Sequence, residues 1–236
     1  MIANPRGRPI PKTDHRDTPA YGLAEAARYV DLASATLRSW VFGREYPRRG
    51  GKGVFRPLIE IADRDQSLLS FNNLIEAHVL RALRTEHGVS IKDVRSAVKY
   101  AERSLSIERL LLRPELRTHA GELLIERYGQ LISLSRSGQL AMKMLLQSYL
   151  KRIEWDTSHI PRRLYPFVRT VSAEAPRLIV IDPLIAFGRP VVVSRGITTA
   201  VIRDRIDGGE SVDAVSRDYE LDRTEVEQAV VYERAA

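Results

Sequence analysis

Five cations, Arg44, Arg48, Arg49, Lys52 and Arg56, crowd into the glycine-rich stretch GREYPRRGGKGVFRP at 43–57. Guanidinium and ammonium groups at this density bind phosphate oxygens, and the glycines let the backbone approach another surface closely. A flexible solvated loop is the alternative. The stretch is not a P-loop, since it lacks the closing Gly-Lys-Ser/Thr and the strand that would precede it. Just upstream, Ser34, Thr36, Arg38 and Ser39 fall on the solvent side of a short helical segment. Hydroxyls and an arginine on the exposed first half of a helix suit hydrogen bonding to base edges in a DNA groove. The chemistry on offer is recognition of a polyanion.

Bond-making chemistry has no comparable constellation. None of His15, His78, His87, His119 and His159 pairs with a second histidine at i+3 or i+4, so a helical metal pair is absent. His78 sits in an apolar helical pattern and reads as a packed or partly exposed core residue. Asp63, Asp65 and Asp182 are too scattered for paired carboxylates, and Asp204 and Asp207 read as one solvated helix face. No nucleophile elbow or dinucleotide fingerprint occurs. The expectation is a binding protein rather than an enzyme, with no catalytic residue, no metal and no cofactor. The lack of cysteine excludes disulfides, thiol catalysis and zinc fingers, and favours a cytoplasmic address. The opening MIANPRGRPIPK carries no long apolar run, so a signal peptide is not expected. No stretch approaches the ~18 apolar residues of a membrane span, so no membrane partner is expected either.

The elements that must position these residues follow from apolar spacing. In 20–42, Leu23, Ala26 and Ala27 share a helical face, Val30 and Leu32 supply a turn, and Ser34 can cap a second helix carrying Leu37 and Val41. Trp40 reads as core. Residues 57–61 and 68–71 flank the polar turn ADRDQS and predict a two-stranded hairpin. Asn72 or Asn73 can cap a helix bearing Leu74, Ile75, Val79, Leu80 and Leu83, which Gly88 ends. Ser90 then opens a helix to about Leu105 with Ile91, Val94, Val98 and Ala101 on one face. Residues 106–172 predict short strands at 123–125 and 131–134, then a helix through MKMLLQSYLKRIEW in which Met144, Leu145, Leu146, Leu150 and Ile153 form apolar stripes. Arg162, Arg163 and Tyr165 follow. Toward the C-terminus, three short amphipathic helices are expected at 199–207, 211–219 and 224–233. Gly208-Gly209 ends the first and Ser211 opens the second, and the last two form a helix-turn-helix. Its outer face offers Arg223, Thr224, Glu227 and Gln228.

The order helix, turn, helix, basic loop, hairpin, helix, turn, helix is carried by LAEAARYVDLASATLRSW, LLSFNNLIEAHVLRALR and HGVSIKDVRSAV. Over about 21–105 it resembles the winged-helix DNA-binding domain of MerR-type regulators. The run DPLIAFGRPVV, followed by ITTAVIRDRIDGGESVDAVSRDYELDRTEVEQAVVY, resembles a small antitoxin domain of unknown function. The whole chain is similar to a long VapB-type antitoxin. That resemblance implies a cognate PIN-like ribonuclease toxin as one partner and operator double-stranded DNA as the other, with repression of its own operon. A PIN-type site holds acidic residues around a divalent metal, so an inserted arginine could neutralise it. Arg177, Arg189 and Arg195, with Arg162 and Arg163, are the candidates, each with a plain surface role as its alternative.

The chain has 236 residues, 44% of them hydrophobic, a net charge of +7 and a pI of about 9.8. That length suits one large domain or two small ones, and the basic balance favours a polyanionic partner. The fold expected is mainly α with small β hairpins. It comprises an arm at 1–19, a winged helix-turn-helix at 20–105, a linker subdomain at 106–172 and a C-terminal trihelical helix-turn-helix domain at 173–236. In the arm, Arg6, Arg8, Lys12 and Arg16 either touch phosphates or belong to a passive tail. A homodimer is expected, since operator-reading helices work in pairs one DNA turn apart. A ligand-responsive regulator without a toxin, using the middle region as an effector pocket, is the second reading. A scaffold that uses helix-turn-helix folds only for contacts is the third.

Overall fold

The computed structural model describes residues 14–48, 51–84, 91–133, 135–168 and 174–234. Its described part is mostly helical, with small antiparallel strand pairs. Strand β1 (Tyr21–Gly22) leads into helix α1 (Leu23–Tyr29), and α2 (Ser34–Phe42) follows after a tight turn. Ala26, Ala27, Leu37, Trp40 and Val41 are all buried, as their helical spacing predicts. Asp31 takes a left-handed conformation (φ 51) in the turn, which aspartate tolerates better than most residues. Arg81 fixes that turn, donating to the Val30 carbonyl at 3.1 Å and pairing with Asp31. Ser34 is not the cap of α2. Ala33 holds the cap position without a side-chain bond, and Ser34 is the first helical residue.

The wing is a hairpin of β2 (Arg44–Arg48) and β3 (Gly51–Phe55), built from the segment whose cations and glycines suggested a loop. Gly53 lies under the Tyr46 ring, where an added Cβ would come within 2.3 Å of a ring carbon. The hairpin expected at 57–61 and 68–71 does not form. Strand β4 (Leu68–Leu69) instead pairs with β1, while a tight turn bridges Asp63 to Leu68. Neither Asn72 nor Asn73 is the cap of helix α3 (Phe71–Arg84); both lie in its first turn. Ser70 Oγ accepts from the Asn73 amide at 3.2 Å, and the Asn73 side chain ties the segment to Ala62, Ser70 and Glu60. Helix α4 (Ile91–Leu105) follows, and the expected stop at Gly88 and cap at Ser90 lie outside the described residues, as does His87.

The middle region is helical where a strand was expected at 123–125, which helix α5 (His119–Leu131) covers. The strand expected at 131–134 does not form among the described residues: Leu131 ends α5, 132–133 form a turn, Leu134 lies outside the described residues, and α6 (Arg136–Leu150) follows. Gly121 and Gly129 allow close packing: a Cβ at Gly121 would lie 2.0 Å from the Leu116 carbonyl oxygen. The predicted second helix stops before Ile153, which starts strand β5 (Ile153–Trp155), paired with β6 (Pro161–Leu164). One apolar cluster runs through all of this. Tyr21, Leu37, Leu74, Leu80, Leu110, Leu124, Tyr128, Tyr149 and Leu164 belong to it together. Residues 106–168 therefore share their core with the winged helix-turn-helix. His78 lies inside that core, its Nε2 3.1 Å from the Tyr149 carbonyl, and burial holds its imidazole down to about 3.

Strands β7 (Ile179–Val180) and β8 (Val191–Val192) precede α7 (Thr199–Asp207), α8 (Val212–Tyr219) and α9 (Arg223–Arg234). Ser211 caps α8 through the Ala214 amide at 3.2 Å, as predicted, and Gly209 leaves α7 with φ 95. Val192, Ile202, Val215, Leu221, Val226, Ala229 and Val230 make a second, smaller core. The two bodies join at the end of α9. Tyr232 belongs to the large core and donates to the Tyr29 carbonyl of α1 at 3.1 Å. Beside it, buried Glu233 accepts from Thr199 at 2.5 Å and Arg203 at 3.1 Å, and pairs with Arg28 of α1.

One buried carboxylate should make stability fall with pH. Burial pushes Glu76 up to about 7, against the pull of Arg109 at 3.6 Å and an Asn73 hydrogen bond at 3.0 Å. A carboxyl whose folded value is raised favours the fold while protonated. Its contribution is complete below the unfolded value near 4.5 and is lost as pH climbs through about 7. Glu76→Gln keeps the shape without the charge. The stability of the variant minus that of wild type should therefore grow by on the order of 3 kcal/mol from acid to alkaline pH. Urea titrations at intervals from pH 5 to 8 measure it, and a constant difference would refute it.

Candidate nucleic-acid interface

The chain leaving the wing returns to α2, because the amides of Leu58 and Ile59 both donate to the Trp40 carbonyl, at 2.7 and 3.1 Å. These bonds hold the base of the wing against the C-terminal end of α2. On the outward side of α2, Ser34 and Arg38 are exposed and Thr36 and Ser39 are half-buried. The Ser39 hydroxyl donates back to the Thr36 carbonyl at 2.8 Å, leaving its oxygen to accept. The Arg38 guanidinium lies 5.4 Å from the Phe42 ring centre, and Arg64 from the 63–68 turn lies 5.7 Å from the same ring. Arg64 thus joins the surface at the end of α2. The polar run ADRDQS was legible as a turn, and nothing in it marked Arg64 as a neighbour of Phe42.

On the wing, Arg44 is exposed, and exposed Lys52 pairs with Glu45 at 2.7 Å. Arg56 is exposed at the end of the wing. Arg49 and the side chain of Arg48 lie outside the described residues, as do Arg6, Arg8 and Lys12. Arg16 does not form part of a phosphate-touching arm. It is held by Asp14 and Asp156, each at 2.6 Å, and half-buried against the body. From 34 to 56 the sequence holds six cations and one carboxylate. Among the described side chains, exposed Arg38, Arg44, Lys52 and Arg56 outnumber Glu45, so the surface of α2 and the wing is positive.

The rear helix-turn-helix has the opposite charge. Residues 211–228 carry six carboxylates and two arginines. Arg223, proposed for its outer face, is committed to Asp213 at 2.5 Å and Glu227 at 2.9 Å. Thr224 and Glu227 are exposed and Gln228 half-buried. Such a face repels a phosphate backbone.

Two family models match the chain. Residues 19–98 match one described as "Putative DNA-binding HTH domain". Residues 179–232 match "Protein of unknown function (DUF433)". The first covers the winged helix-turn-helix, and the second covers β7 to α9. Over 219 residues the chain is 26% identical to "Putative antitoxin VapB45" of Mycobacterium tuberculosis, covering 86% of this chain and 89% of that protein. It is also 26% identical over 227 residues to "Uncharacterized protein Rv2308" of the same organism, covering 93% and 92%. The crystal structure of Rv2018 from that organism has the same fold, with a TM-score of 0.63 and 21% identity, over 90% of this chain and 98% of that one.

The arginines weighed for a protein partner are scattered by the fold. Arg163 is drawn to buried Asp182 at 2.7 Å, and Arg162 to Glu154 at 4.0 Å. Arg177 donates to the Lys151 carbonyl at 2.7 Å and stacks on Tyr165. Arg195 pairs with Glu220 at 2.7 Å. Arg189 is exposed, and its side chain meets no acceptor among the described residues. Among those residues no group of three His, Cys, Asp or Glu side chains could hold a metal ion, and no helix is long and apolar enough to cross a membrane.

Proposed function

We propose that the chain is a cytoplasmic, non-enzymatic type II antitoxin that reads operator DNA through α2 and its wing and neutralises a PIN-like ribonuclease toxin. The observation that carries the DNA half is the contrast between the two helix-turn-helix units. The front one sets a groove-sized helix beside a cationic hairpin, which suits phosphate contact and base reading together. The rear one is acidic, which frees it for protein. The similarity to a protein named as an antitoxin supports the toxin half. A homodimer matches the two-fold operators that such readers use. Of Arg177, Arg189 and Arg195, Arg189 has the most freedom to enter an acidic metal site. Co-expression with the product of the neighbouring gene tests the reading. The neighbour should arrest growth alone, be rescued by this chain and co-purify with it. A harmless neighbour that does not co-purify sinks it.

A second reading, a ligand-responsive regulator, draws on a cavity of about 430 Å³ between α3, α4 and residues 57–62, in the front unit rather than the middle region where an effector pocket was expected. Arg95 lines it, with Nε and Nη2 shut from solvent and without an acceptor. Burial and the like charge of Arg56 make its protonated form costlier than usual. An anionic effector is the ligand such a wall would take.

A further inference from the structure

Phe187 stands 92% exposed on the turn between β7 and β8. Its backbone and that of Ala186 are both left-handed (φ 56 and 48), a conformation that L-residues with a Cβ avoid. The turn is nevertheless fixed on both flanks. Buried Asp182 accepts from the Leu184 amide at 2.9 Å on one oxygen and from Arg163 at 2.7 Å on the other. Gly188 (φ 78) is pressed onto the first core, where an added Cβ would lie 2.0 Å from the Tyr21 hydroxyl oxygen. A large aromatic side chain is thus held out in water by a rigid, strained support. Solvation gives no reason for that arrangement, and backbone strain of this kind gathers where a protein meets a ligand.

The surroundings say what the partner must offer. Leu184, 70% exposed, lies beside Phe187 in sequence and shares a shallow depression with His15 and Arg162. Arg189 follows two residues later, with no acceptor among the described residues. The two carboxylates of that depression, Asp156 and Asp182, are already engaged by Arg16 and Arg163. Arg162 is drawn to Glu154 and His15 lies beside Asp14, so the uncommitted charge near the exposed aromatic in sequence is the positive Arg189. An aromatic with a neighbouring arginine is the combination that dominates protein interfaces. A second copy docking here would bring the same cations toward each other.

We propose that Phe187, with Leu184 and Arg189, is the docking knuckle for a protein partner that presents an apolar pocket rimmed by carboxylates. Resting on the antitoxin reading, the inference names that partner as the toxin and Phe187 as the residue that enters it. The test uses the full chain, co-expressed with the neighbouring gene product, as wild type, Phe187→Asp and Arg189→Glu. Phe187 is 92% exposed and Arg189 is exposed, so the variants should keep the wild-type melting temperature and DNA affinity. The expected result is a loss of about 30-fold or more in toxin affinity for Phe187→Asp and a smaller loss for Arg189→Glu. Wild-type binding that survives Phe187→Asp overturns the knuckle and leaves the antitoxin reading standing. A wild type that does not bind the neighbour overturns both. If Phe187→Asp instead turns a dimer into a monomer in sedimentation and leaves toxin affinity intact, the occupant is a second copy and the proposal is wrong.

Discussion

Glu233→Ala should loosen the joint between the two bodies of the molecule at a cost of about 1.5–3 kcal/mol, because it removes the buried charged acceptor that Arg28, Arg203 and Thr199 share. Glu233 is 6% exposed and serves Arg28 of α1, Arg203 of α7 and the Thr199 hydroxyl at once. Both tryptophans, Trp40 and Trp155, lie in or against the larger core, so their fluorescence reports that body alone. Far-ultraviolet circular dichroism reports the helices of both. In wild type the two signals should change together in urea, and in Glu233→Ala the helical signal should fall first. Glu233→Gln, which can still accept from Thr199, should lie between. Coincident curves with an unmoved midpoint would show that the joint holds without this carboxylate.

The second large effect concerns DNA. Arg38 is exposed on α2 and held along the helix by the Phe42 ring, in place to reach a base edge. Arg38→Ala should weaken binding to the DNA upstream of the chain's own coding region by about 10- to 100-fold. Binding to unrelated DNA should change far less. Lys52→Ala, on the wing, should weaken both kinds of site alike and lower the slope of log affinity against log salt by about one. Titrations at several salt concentrations distinguish the two. An unchanged operator affinity in Arg38→Ala would remove α2 as the reader.

The C-terminal helices were legible to within a residue at each end because each carries its own punctuation. Ser211 caps α8, Gly208-Gly209 close α7, and the apolar spacing within each is helical. Leu37, Trp40 and Val41 were legible as core for the same local reason. The wing and α5 were not. The wing's glycines read as loop, but Gly53 is small because the Tyr46 ring covers it. In α5 the apolar triplet Leu123–Ile125 and the following Tyr-Gly read as strand and turn, although Gly129 is a contact with α6 at Gln139. In both places the glycine answers a side chain on the neighbouring element, seven and ten residues along the chain. The joint at Glu233, the stacking of Arg64 on Phe42 and the knuckle at Phe187 were unreadable because they arise only once separate segments meet. The charge contrast between the two helix-turn-helix units was in the sequence, and it gained meaning when Arg223 proved to be bound by its own carboxylates.

The joint also constrains how the molecule assembles. Arg28 and Glu233 are 205 residues apart in the chain, and Tyr29 and Tyr232 are 203 apart. Closing a loop of that length costs more entropy than forming the α1–α2 or α8–α9 pair, each of which joins neighbours a few residues apart. The contacts between near neighbours within each core are therefore expected to form before this joint does. Helix α1, which packs on α2, is the element that the joint ties to the end of α9.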